Sequence, residues 1–126
     1  MIALPRGDYF LLIQACKWSS TRRTFMLNMK VAEGQLKGVL LKTIFQFGVS
    51  DDLNDVYTKA LQALSHQFEL FFHAVIKETF EEAYFGWLKD QLTGEIFKAN
   101  GVYTVEPAPV GSRIEVCFDL VPDKVE

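Results

Sequence analysis

The stretch SHQFELFFH, residues 65–73, holds both histidines of the chain with a glutamate between them. On a helix, His66, Glu69 and His73 share one stripe, because residues three and four apart are surface neighbours. Imidazole and carboxylate groups at that spacing could ligate zinc or exchange a proton. The geometry is poor for a single ion. His66 and His73 lie about 10.5 Å apart along a helix axis, whereas a Zn–N bond is only about 2 Å long. The order His-x-x-Glu is also the reverse of that used in di-iron bundles, and no third histidine exists. The three are weak metal candidates, and the expectation is a solvated helix face on which Glu69 pairs with His73.

Glu78, Glu81 and Glu82 surround Phe80. Adjacent carboxylates on a helix diverge by about 100°, so Glu81 and Glu82 cannot share a proton. They read as surface. The segment KWSSTRRT, residues 17–24, is a better candidate: Lys17, Arg22 and Arg23 flank Trp18, two serines and a threonine. Hydroxyls and guanidinium forks of this kind suit a phosphate or a carboxylate. No GxSxG elbow, P-loop or dinucleotide fingerprint occurs, so acyl-transfer triads and ATP- or NAD-dependent chemistry lack their signatures. No catalytic residue and no cofactor is assigned.

The chain that must position these groups has 126 residues, the size of one domain, and is read as a single unit over 1–126. It is 49% apolar, and its eleven phenylalanines, four tyrosines and two tryptophans exceed the needs of a small core. Some of these rings are expected at a pocket or an interface. The net charge of −3 speaks against a nucleic-acid partner. That charge is unevenly placed: residues 1–50 carry seven basic against two acidic residues, and residues 51–126 carry six against fourteen. No apolar run reaches the eighteen or so residues of a membrane helix, and MIALPRGDYF is not a signal peptide. Cys16 and Cys117 form no CxxC pair and read as buried free thiols in a cytoplasmic protein.

A mostly apolar run predicts a central strand over residues 8–18, and period-two alternation predicts strands over 24–31 and 36–48, with a hairpin turn at AEGQ. Ser50, Asp51 and Asp52 open an expected helix whose apolar stripe runs from Leu53 to Val75. Near residue 78 the stripe moves round by about 150° to Phe80, Ala83, Tyr84, Trp87, Leu88 and Leu92, which predicts a kink or break. Gly94 offers a C-cap, and strands are predicted over 102–107 and 113–121. Together these predict an α+β domain: a mainly antiparallel five-stranded sheet, three strands before and two after a long, kinked helix packed on one face.

The functional expectation is a non-enzymatic interaction protein that forms a homodimer through Phe80, Tyr84, Trp87 and Leu88, since aromatic anchors dominate interfaces. The alternative is a module that binds a small apolar or anionic ligand in a cavity between sheet and helix, with Trp18, Arg22 and Arg23 at its mouth. An enzyme using His66 or His73 with a glutamate, as a hydrolase or with a metal, ranks third. Neither nucleic acid nor membrane is expected as a partner.

Overall fold

In the segment TFMLNMKV, every second side chain is apolar, and that parity builds the wall of the fold. The computed structural model describes residues 1–46 and 81–118, apart from the side chains of residues 81, 82 and 84. The strand β2 (Thr24–Val31) buries Phe25, Leu27, Met29 and Val31 almost completely and leaves the alternate residues half-buried. It pairs antiparallel with β1 (Gly7–Ser19) and with β3 (Leu40–Gln46). A slip of one residue in either ladder would carry Lys30 into the core, so the hydrophobic pattern pins the register. Residues 32–39 join β2 to β3, with Gly34 and Gly38 at φ of 90° and 95°, values open to glycine and strained for other residues.

Two more strands, β4 (Ile96–Thr104) and β5 (Ile114–Phe118), follow. β4 pairs antiparallel with both β1 and β5, and β5 runs parallel to β3 over Leu41↔Ile114 and Lys42↔Glu115. The order β1-β2-β3-β5-β4 therefore returns to β1, and the sheet is a closed barrel. Closure depends on β1 serving two partners. Its first half, Gly7–Leu12, pairs with β4, and Leu11–Ser19 pairs with β2. A bulge between Ile13 and Ala15 inserts Gln14 where the strand passes from one partner to the other. Bulges bend and twist a strand, which is the curvature such a change needs.

Arg113 ties the short parallel seam to the rest of the wall. Its Nη1 donates to the carbonyls of Met29 at 3.1 Å and Leu41 at 3.2 Å, and its Nη2 donates to Gln14 Oε1 at 2.9 Å. One guanidinium thus links the start of β5 to β3, β2 and the β1 bulge.

Between β3 and β4 in the chain lies the helix α1 (Glu81–Leu92), which ends at Gly94 with φ of 87°. Past Leu12, β1 has no β4 partner, and α1 with its following turn takes that place. Gly94 N–H donates to the Ile13 carbonyl, and Ile13 N–H donates to the Glu95 carbonyl. Phe85, Leu88 and Leu92, three and four residues apart, enter the core beside Leu11, Ile13 and Phe25. A five-stranded barrel of this strand order, with a helix between the third and fourth strands, has the connectivity of the OB-fold.

The expected α+β arrangement, a long helix on one face of an open sheet, is thereby corrected. β1 pairs with β4 and removes both sheet edges, and the helix among the described residues is twelve residues long. Local alternation reports which strand positions face inward, but a barrel and an open sheet show the same alternation. The predicted helix over 50–77 and its kink lie outside the described residues. Among the described side chains of α1, the deepest aromatic residue is Phe85, which the expected stripe did not contain; Ala83, which it did contain, is exposed.

Candidate functional site

The outward residues of β1, β2 and β3 follow from the same parity. The ladders set Lys17 opposite Met26 and Met26 opposite Ile44; Ala15 opposite Asn28 and Asn28 opposite Lys42; and Leu12 opposite Lys30 and Lys30 opposite Leu40. Three lysines, one per strand, thus lie on adjoining rows of one outer face, separated by Met26, Ile44 and Asn28. Arg113, just before β5, reaches Gln14 of β1 and the carbonyls of Met29 and Leu41. From Tyr9 to Ala32 the chain carries Lys17, Arg22, Arg23 and Lys30 and no acidic residue, and β3 adds only Lys42. Glu115 of β5, paired in register with Lys42, is the carboxylate bordering the face among these strand residues.

At one margin stands the loop joining β1 to β2, residues 20–23. Ser19 pairs with Thr24 across its base, and Ser19 Oγ accepts from Arg22 N–H at 3.4 Å. Arg23 takes a φ of 54°, the left-handed conformation that costs a side-chain-bearing residue about 1–2 kcal/mol. The other margin is the loop joining β4 to β5, residues 105–113. It contributes Arg113 and Val110, the latter 82% exposed.

The sequence-derived ligand residues divide between two places. Arg22 and Arg23 lie at the loop margin of the basic face. Trp18 turns inward: its indole stacks on Phe85 with ring centroids 3.8 Å apart and planes 7° from parallel. Beside that pair a cleft opens between the end of β1 and α1, lined by Cys16, Lys17, Trp18, Ser20, Phe25, Phe85, Gly86 and Lys89. Cys16 Sγ lies 3.8 Å from Thr93 Oγ1. Burial pushes the Cys16 thiol above its ordinary range, and Thr93 and the nearby Lys89 charge only partly offset that rise. The thiol is thus neutral near pH 7 and a poor nucleophile.

Of the expected interface residues, Leu88 is fully buried in the barrel core and Trp87 packs against it half-buried. The side chain of Tyr84, and Phe80 entirely, lie outside the described residues. So do His66, Glu69 and His73. Among the described residues no group of three potential ligands could hold a metal ion. Cys16 and Cys117 are both free; Cys16 points into the barrel, and the parity of β5 turns Cys117 outward. No helix among the described residues is long and apolar enough to cross a membrane.

The sequence singled out the loop with Lys17, Arg22 and Arg23 but did not bring Lys30, Lys42 and Arg113 to it. The signal was present: Lys30 and Lys42 occupy polar positions of alternating strands. Only the ladder registers place them side by side.

No family model matches the chain, and no curated protein or solved structure matches it.

Proposed function

We propose that the protein binds single-stranded nucleic acid along the outer face of β1, β2 and β3, between the β1–β2 and β4–β5 loops. One observation carries the reading. The face holds Lys17, Lys30 and Lys42 on adjoining rows, is flanked by Arg22, Arg23 and Arg113, and draws on a stretch from Tyr9 to Ala32 that contains no acidic residue. A polyanion responds to the local field of the surface it touches, so the face outweighs the net charge of −3 that spoke against such a partner. Barrels of this connectivity bind oligonucleotides and oligosaccharides on the strand 2–3 face and with these two loops; that is an argument by analogy of fold, and the charge on the face supplies the physical one.

The apolar atoms of Met26 and Ile44 lie between the lysines and offer contact area to bases, while Asn28 offers hydrogen bonds without a fixed code. Binding of this kind tracks the backbone and is tolerant of sequence. It extends the earlier expectation of an anionic ligand near Arg22 and Arg23 from a small molecule to a strand.

The deciding experiment is fluorescence anisotropy of a labelled (dT)20 strand titrated with the protein at low and moderate salt. Saturable binding that weakens as salt rises is expected. Failure to bind even at low salt would end the proposal.

Self-association remains the second reading, at a different surface. Phe10 is 42% exposed and Ile96 is 56% exposed on the outer faces of the paired strands β1 and β4, whereas Leu88 is committed to the core. Native mass spectrometry reads that directly: a dimer supports it, and a monomer at high micromolar concentration removes it.

A further inference from the structure

Gly86 occupies the interior of α1, where glycine weakens a helix relative to alanine. Nothing in the described chain requires it. Its φ is not positive, and a Cβ built there meets no atom within 4 Å. The missing side chain instead leaves room in the cleft beside Trp18, a volume of about 290 Å³, at the small end of ligand-sized clefts.

The chemistry of the lining is specific. Trp18 presents an aromatic wall backed by the buried ring of Phe85, Lys17 and Lys89 supply two ammonium groups, and among the described residues no carboxylate lines the cleft. An aromatic wall beside paired cations suits a planar, electron-rich ring joined to an anion. Lys17 belongs both to this cleft and to the basic outer face of β1, so the two are continuous.

We infer that the cleft is a nucleotide subsite: one unpaired base of the bound strand enters beside Trp18 and Phe85 over Gly86, and its neighbouring phosphates meet Lys17 and Lys89. The inference rests on the nucleic-acid reading above and adds a site that reading does not need.

Trp18 is its own reporter once the second tryptophan is replaced. In a Trp87→Phe background, (dT)15 quenches Trp18 emission on binding. Gly86→Ala raises the melting temperature, because alanine is the better helix residue, yet binds (dT)15 about tenfold more weakly, the size of one lost base stack, and abolishes the quench. Lys89→Ala, at an exposed position, weakens binding without changing the melting temperature. If (dT)15 binds in a manner that depends on Lys30 and Lys42 while Trp18 emission stays constant, or if Gly86→Ala binds as tightly as the parent, the cleft is not a subsite and the outer face stands alone. If the parent protein does not bind (dT)15 at low salt, both readings fall together.

Discussion

The indole of Trp18 and the ring of Phe85 lie parallel, 3.8 Å apart, one at the end of β1 and the other on α1. Phe85 also meets Phe25 at 5.3 Å with its plane tilted by 39°. Three rings from β1, β2 and α1 therefore join the helix to the barrel where β1 has run out of β4 partner. Phe85 is only 1% exposed, which makes it the anchor of the group.

Replacing that anchor should be costly. Phe85→Ala is expected to lose about 3–5 kcal/mol, a large part of the 5–15 kcal/mol that stabilises a typical domain. Phe85→Leu keeps most of the volume and should lose about 1.5 kcal/mol, mainly ring stacking. Urea unfolding followed by circular dichroism measures both. Equal, small losses would show that α1 contributes little to the barrel.

The basic face predicts a salt slope. If Lys17, Arg22, Arg23, Lys30 and Lys42 each neutralise one phosphate, log K against log salt should fall with a slope of about −3.5 for a single strand. Lys30→Ala with Lys42→Ala should bring the slope to about −2 and weaken binding equally for all sequences. Anisotropy titrations over a range of salt read this. An unchanged slope in the double variant would place the bound strand elsewhere.

Arg23 sets stability against binding. Its left-handed backbone costs about 1–2 kcal/mol, of which glycine would return part after its own entropic cost of about 0.5–1 kcal/mol. Arg23→Gly should therefore be more stable by up to about 1.5 kcal/mol, seen as a higher urea midpoint, and should bind the strand less tightly. A less stable Arg23→Gly would mean that the arginine side chain holds the loop more strongly than its backbone strains it.

Cys16 predicts an alkaline weakness. Its thiol is pushed up by burial in the folded state, from an ordinary value of 9.0. Below about pH 9 the thiol is neutral in both states and costs nothing. Above it the unfolded chain releases the proton more readily, so stability falls as pH rises toward the higher folded value, by at most about 1.4 kcal/mol per pH unit. Cys16→Ala removes this component. Urea midpoints between pH 8 and 10.5 should decline less steeply in the variant, and parallel declines would show that the thiol does not contribute.

Much of the strand structure could be read directly from residue order. The alternation of Phe25, Leu27, Met29 and Val31 with polar neighbours dictates a strand and says which side is buried, because a pleat turns successive side chains to opposite faces. The same local rule marks Ile114, Val116 and Phe118, and Gly94 marks the end of a helix through its freedom at positive φ. The charge of the first fifty residues and the arginines at 22 and 23 were equally visible. The closure of the barrel was not, because the β1–β4 pairing joins segments almost ninety residues apart, and nothing local in Gly7–Leu12 names its partner. Nor could Trp18, read as a surface ligand residue, be assigned its place against Phe85. Which lysines become neighbours is set by the registers Lys17↔Met26 and Asn28↔Lys42, a property of strand pairing rather than of strand composition. Residue order determines the faces of each strand, whereas tertiary structure decides what those faces meet, because long-range pairing depends on the whole set of partners at once.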